Sequence, residues 1–214
     1  MVSRYGQQPW RRRMRAWTAV LLCSGLAAVG CGSAQGATSM QAGKSDSSQV
    51  NLNWQVPYFR DTDEQGQPFS LSDLRGKVWM ADFMFTNCTS VCPLTTAHMA
   101  KLQRRLRQAG VDAQLVSFTV DPSHDTPQRL RTYAAKYQAD LTNWHFLTGY
   151  SSRSITRFAR DGFKAVIESI PKSNQYTHST EFYLVGPDGK VVHVYDGLHP
   201  NYAKIVAAVR SLET

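Results

Sequence analysis

Residues 78–93, VWMADFMFTNCTSVCP, decide the fold class. Val78 to Phe85 is a mostly apolar run, the pattern of a strand buried in the middle of a sheet. Two cysteines follow directly. Pro93 then suits the first turn of a helix, where the N–H that proline lacks has no intrahelical partner to lose. Leu94, Ala97, Met99, Leu102 and Leu106 form the apolar stripe of an amphipathic helix over about 94–108, and Gly110 supplies a C-terminal stop. The cysteines therefore sit where a central strand runs into a helix N-terminus.

Outward from this unit the chain alternates. Ala113–Val120 reads as a second strand, and Thr126-Pro127 opens a helix over 128–137. Trp144–Leu147 is a short strand, and Ser151–Arg160 a short helix with a serine cap. Strands at 182–185 and 191–195 flank Pro187-Asp188-Gly189, a strong hairpin turn, and a closing helix spans 200–212. Upstream, the pattern becomes globular at Leu52. The turn signal Glu64-Gln65-Gly66 before Gln67–Leu71 predicts a hairpin, and Ser72–Lys77 a short turn. There is no internal repeat. A βαβ unit followed by a ββα unit is the thioredoxin-like plan: α/β, with a central mixed sheet, an N-terminal hairpin extension and helices on both faces.

The 214 residues suit one domain plus a leader, and 42% hydrophobic residues suffice for a core. The net charge of +8 is unevenly spread. Residues 1–30 hold Arg4, Arg11, Arg12, Arg13 and Arg15 and no acidic residue; without those five, 19 basic face 16 acidic residues, a net +3. The body has no nucleic-acid stripe, so no nucleic-acid partner is expected. Arg11–Arg15 followed by the short apolar run from Ala16 to about Gly30 has the anatomy of an export signal. It is shorter than the roughly 20 apolar residues of a spanning helix. Small residues precede Cys31, as in a bacterial lipobox, although Ala28 stands where leucine is usual. Three readings stay open: lipidation at Cys31, plain cleavage near Ala34-Gln35-Gly36, and an uncleaved anchor. Residues 1–31 are thus a leader or anchor. Residues 32–50, rich in Gly, Ser, Ala and Gln, are a flexible linker, and 51–214 form the folded domain. The expected location is extracytoplasmic, on the periplasmic side of a bacterial membrane and tethered to it.

Of the four cysteines, Cys23 and Cys31 lie before the domain, which holds only Cys88 and Cys92. A pair four apart closes a tiny loop and stabilises little as a disulfide, so chemistry explains it better than stability. If the turn is helical, the Cβ atoms lie about 5–6 Å apart. Two sulfurs at about 2.3 Å from one metal are reachable from there, and a disulfide fits with local adjustment. The helix N-terminus lowers a thiol's pKa.

A tight metal site needs a third ligand. His98 falls on the far side of the helix from Cys92, His124 in a loop after Asp121-Pro122, His145 and His193 in strands as core or surface residues, and His199 at the start of the last helix. His178 precedes a strand whose leading loop lies against the cysteine turn in a thioredoxin-like plan, so topology nominates it over a plain loop histidine. Asp121 and Asp125 read first as capping and turn residues, and otherwise as residues that orient the ligands.

FTNCTSVCPLTTAHM (85–99), VDPSHDTPQRLRTYA (120–134), NWHFLTG (143–149) and HSTEFYLVGPDGKVV (178–192) resemble, in order and spacing, the Sco/SenC family of copper-binding, thioredoxin-fold proteins. The likeness spans nearly all of residues 53–212. It implies that Cys88, Cys92 and His178 are copper ligands. Thr89 stands where many members have proline, which touches no ligand. Two thiolates and an imidazole form a soft set suited to Cu(I) that also holds Cu(II), so one copper per chain is expected.

By resemblance the protein is a metallochaperone that helps assemble the copper centre of cytochrome c oxidase. Its partners would be the copper-bearing oxidase subunit, a thiol reductant and other copper chaperones. The alternative is a thiol–disulfide oxidoreductase acting on that subunit's cysteines, or in redox defence or sensing. A peroxide-reducing version lacks support, because Ala81 stands where the peroxiredoxin pattern has proline. His178 discriminates: a dithiol reductase does not need it, and a three-ligand copper site does.

Overall fold

The computed structural model describes residues 52–213, so the leader, the linker and Cys31 lie outside the described residues. The chain runs β1 (Trp54–Gln55), β2 (Arg60–Thr62), β3 (Pro68–Ser70), β4 (Trp79–Met84), α1 (Cys92–Gln108), β5 (Gln114–Thr119), α2 (Pro127–Lys136) and β6 (Trp144–Leu147). It continues through α3 (Ser152–Phe158), β7 (Ile167–Ser169), β8 (Tyr176–His178), β9 (Glu181–Val185), β10 (Lys190–Asp196) and α4 (Tyr202–Arg210). Six strands form one mixed sheet in the order β1-β10-β9-β4-β5-β6. β4, β5 and β6 are parallel, joined by α1 and α2, while β9 runs antiparallel to β4 and turns tightly into β10. This is the α/β thioredoxin-like architecture read from the sequence.

β4 lies in the middle and is buried along its whole length, which is why its run is apolar on both faces. Phe83 meets Phe118 and Phe163, and Phe118 meets Phe59 and Phe158, with ring centroids 4.9–5.8 Å apart. Such offset and edge-on pairs add about 0.5–1.5 kcal/mol each beyond area burial, and they tie the N-terminal segment and α3 to the sheet. The N-terminal hairpin is β2–β3, closed by a turn at Asp63–Gln67. It reaches the sheet through a backbone bridge between Thr62 and Thr148 at the end of β6.

Three local features depart from the sequence reading. Helix α1 starts at Cys92 rather than Leu94, because Pro93 is accommodated in its first turn. After α3 the chain widens into a π-turn over Ala159–Phe163 that ends at Lys164 in the left-handed region (φ 57). It then forms a short hairpin, β7–β8, that carries no strong strand signal. His178 therefore sits at the end of a strand, not in a loop. Gly197, after β10, donates its N–H to Thr180 O at 3.1 Å. A Cβ there would lie 2.1 Å from that oxygen, so only glycine lets β10 close on the segment after His178.

One residue of the buried strand is ionisable. Asp82 accepts a hydrogen bond from Ser117 Oγ, which in turn accepts from Trp144 Nε1, but its Oδ2 is buried with no partner among the described residues. Burial pushes this carboxyl from an ordinary 3.8 up to about 6, against smaller opposite pulls from Ser117 and His178. Below the ordinary value the group is neutral in both folded and unfolded chains. As pH rises, the unfolded chain ionises first, so folding stability falls through this window and levels off above about pH 6. At 1.36 kcal/mol per unit the loss is about 3 kcal/mol. Urea unfolding of Asp82→Asn and the parent at about pH 4 and pH 7 is expected to show the stability difference moving toward the variant by about that amount. An equal difference at both values would show an unperturbed carboxyl.

Candidate metal centre

At the end of β4 the chain turns through Thr86–Val91 before α1 begins. The cap residue of α1, Val91, has no side chain able to accept the helix's free N–H groups. Cys88 Sγ takes that place, accepting from Cys92 N–H at 3.4 Å. A sulfur at a helix N-terminus is stabilised as thiolate by the exposed N–H groups and the helix dipole. Cys88 is half-buried and Cys92 fully buried in the first helical turn.

His178 reaches this turn from β8. Its Nδ1 lies 2.7 Å from Ser179 O. A carbonyl only accepts, so Nδ1 carries a proton, and Nε2 is the ring nitrogen that faces the cysteines. Nε2 lies 3.1 Å from Cys92 Sγ. The two sulfurs and the imidazole nitrogen all lie within 4.8 Å of one another. Phe85, fully buried, supports the hairpin by edge-on contacts with the rings of Tyr176 and His178.

The two thiols are unequal. Cys88 is held far below the ordinary thiol range, at about 3, first by the hydrogen bond from the Cys92 thiol, then by His178 and the Cys92 N–H, with burial opposing. Cys92 is pushed well above that range because its proton is shared with Cys88 and because it is buried. Cys88 is thus the accessible nucleophilic or metal-ready thiolate, and Cys92 releases its proton only when a metal or a new sulfur bond replaces it.

The segment between β5 and α2 braces the site from two sides. Asp125, fully buried, accepts from Thr86 N–H at 3.0 Å and from the hydroxyls of Thr86 and Thr119. It anchors the strand end that leads to Cys88. Asp121 accepts from Ser123 Oγ and, at 3.3 Å, from Tyr176 OH on the strand carrying His178. Neither aspartate caps α2. That cap is Thr126, whose Oγ1 accepts from Arg129 N–H. Turn formation holds for Asp121, whose backbone oxygen accepts the N–H groups of His124 and Asp125. A further brace escaped the sequence reading. Gln175, on the β7–β8 hairpin, donates Nε2 to Asn87 O at 3.0 Å and accepts from Thr89 N–H at 3.4 Å. A glutamine in a polar, proline-containing stretch carries no sequence signal for that role.

The other histidines lie apart from the cysteines. His98 contacts Gly197 O and Tyr202, His124 bonds through its backbone beside α2, His145 stacks on Phe69, His193 lies on β10, and His199 pairs with Asp196.

Comparison with known proteins places the fold in a family. The SCO1/SenC family model matches residues 50–213. A SCO1/SenC family lipoprotein from Bacillus anthracis is 44% identical, superimposes with a TM-score of 0.74, and covers 76% of this chain and 97% of its own. BsSco, described as a member of the Sco family of cytochrome c oxidase assembly proteins with a disulfide switch, is 44% identical with a TM-score of 0.72, covering 77% and 96%. Copper-bound yeast Sco1 is 25% identical with a TM-score of 0.61, covering 74% and 90%. The chain belongs to the SCO1/SenC family.

Proposed function

We propose that this chain is a copper metallochaperone that holds one copper ion, Cu(I) or Cu(II), through Cys88, Cys92 and His178 and helps assemble the copper centre of cytochrome c oxidase. The observation that carries this reading is the convergence of two sulfurs and one imidazole nitrogen within 4.8 Å at the end of the central strand. Metal–sulfur bonds of about 2.3 Å and metal–imidazole bonds of about 2.0–2.1 Å bridge donors up to about 4.4–4.6 Å apart. Small rotamer changes would therefore close the donors on one ion. The donor set is soft, as copper prefers. Ser179 O fixes the imidazole tautomer with Nε2 available. The copper-bound yeast relative and the oxidase-assembly description of BsSco point the same way. Copper is cargo here, received and passed to the copper-bearing oxidase subunit, with a thiol reductant and other copper chaperones as further partners. Asp121, Asp125 and Gln175 act by holding the two halves of the site at a set spacing.

The polarised thiol pair supports a second reading, thiol–disulfide exchange, with Cys88 attacking and Cys92 resolving. The deciding experiment is anaerobic copper titration of the reduced protein, followed by mixing with the apo oxidase subunit. Copper transfer favours the chaperone, and disulfide reduction in the subunit without copper uptake favours the reductase.

Cys88→Ser and Cys92→Ser are each expected to weaken copper binding beyond the 10–100-fold typical of losing an outer contact. His178→Ala is expected to weaken Cu(II) binding and change its visible spectrum while leaving the Cys88–Cys92 disulfide able to form. Wild-type affinity in either serine variant would refute the site. A larger effect from His124→Ala or His98→Ala would refute the choice of histidine.

The same cysteine pair cannot be a disulfide and two thiolates at once. Fully oxidised protein is therefore expected not to bind copper until a reductant is added. Iodoacetamide should label Cys88 at a nearly constant rate from about pH 5 to 8, whereas an ordinary thiol of pKa about 8.5 loses about tenfold per unit in that range. Mass mapping of the labelled site checks both the residue and the pH profile.

The tether is part of the same proposal: an exported, membrane-attached protein on the periplasmic side, lipidated at Cys31 or held by an uncleaved helix. Cys31→Ala releases the protein from washed membranes if a lipid holds it, because an attached lipid with several chains anchors strongly. Continued membrane association selects the helix.

A further inference from the structure

A second group of metal-ligating side chains lies where the N-terminal hairpin meets the edge of the main sheet. Asp63 and Glu64 occupy the β2–β3 turn, and His145 projects from β6. Reciprocal backbone hydrogen bonds between Thr62 and Thr148, at 2.9 and 2.8 Å, hold the two elements together. One donor atom from each of the three residues lies within 4.8 Å of the other two. We propose that Asp63, Glu64 and His145 bind a divalent cation of the zinc class, at a site separate from the cysteine–histidine centre, and that the ion fastens the hairpin to β6.

The first argument is uncompensated burial. Asp63 is 7% exposed and Glu64 0%, and among the described residues neither carboxylate has a lysine or arginine ion pair. Arg131 lies close but donates to the backbone oxygen of Glu64. Asp63 Oδ1 accepts the N–H groups of Gln65 and Gln67, Glu64 Oε2 accepts Phe146 N–H at 2.9 Å, and Glu64 Oε1 has only a 3.5 Å contact with Gln65 Nε2. None of these contacts engages Asp63 Oδ2. Two neighbouring carboxyl groups this deep are costly without a positive partner.

The second argument is independent and concerns the imidazole. His145 Nδ1 is buried and has no hydrogen-bond partner. Buried ring nitrogens are rarely left so. The ring is held in place by stacking on Phe69, with centroids 4.3 Å apart and planes 30° apart. A fixed imidazole beside two carboxylates, both tied by backbone N–H groups, is a partly assembled ligand set.

The donors also separate the two sites chemically. One nitrogen and carboxylate oxygens, at bond lengths of about 2.0–2.2 Å, suit Zn(II). With no sulfur the set does not attract Cu(I), which belongs with thiolates. This inference does not depend on the copper reading.

The test uses the full-length protein with Cys88→Ser and Cys92→Ser, stripped with chelator and titrated with zinc chloride by equilibrium dialysis and thermal unfolding. His145→Ala and Glu64→Gln are added to that background one at a time. The expected result is that each added substitution removes one bound zinc per chain, or weakens it beyond about 10–100-fold, and abolishes the zinc-dependent rise in Tm. Comparison within one background cancels any zinc held by Cys23 or Cys31. Glu64→Gln keeps an oxygen for Phe146 N–H, so it decides the matter if His145→Ala loses its native circular dichroism. Unchanged zinc uptake and unchanged thermal shift in folded Glu64→Gln would overturn the proposal.

Discussion

The contact between Cys92 Sγ and His178 Nε2, 3.1 Å across 86 residues of chain, is the constraint on which the site depends. It exists because β9 runs antiparallel to β4, with Trp79 opposite Val185 and Ala81 opposite Tyr183. In that register the end of β4 lies beside the start of β9. The residues just after β4, which hold the cysteines, therefore meet the residues just before β9, which hold His178. A parallel β9 would place His178 at the other end of the sheet. One strand direction thus decides whether a local cysteine pair becomes a three-donor cluster.

Direction alone does not give ångström-scale placement. The segment between β5 and α2 supplies that, with Asp125 on Thr86 and Asp121 on Tyr176, while Gln175 spans directly from the hairpin to the cysteine turn. These contacts fix the two loops to a rigid sheet rather than only to each other. Donor groups held this way would lose little conformational entropy on binding an ion.

The electrostatics follow from the same placement. The Cys92 proton and the N-terminus of α1 stabilise Cys88 as thiolate, and the shared hydrogen bond with Cys88, together with burial, keeps Cys92 protonated. Asp82 lies beneath, fully buried, close enough for its charge to bear on Cys92 and His178. The half-buried sulfur is thus favoured as thiolate and the buried one as thiol. The Asp63–Glu64–His145 group at the opposite edge of the parallel strands shares none of these partners.

The central strand, both crossover helices, the β9–β10 hairpin and the cysteine pair were legible because each rests on local chemistry: an apolar run, a helical stripe, a Pro-Asp-Gly turn, four-residue spacing. Resemblance to the Sco/SenC family singled out His178, and topology had already favoured it. The β7–β8 hairpin was not legible, since its strands are three residues long and separated by a polar stretch containing Pro171. Asp82 is one letter in an apolar run, Gln175 carries no signal in its polar stretch, and His145 read as ordinary core or surface. The sequence by itself determined the order of elements and placed two sulfurs one turn apart at a helix start, because those depend on neighbours within a few residues. Only the tertiary structure decided which histidine reaches them, which carboxylates brace them and which thiol keeps its proton. Those outcomes depend on burial and on strand register, which act between residues far apart along the chain.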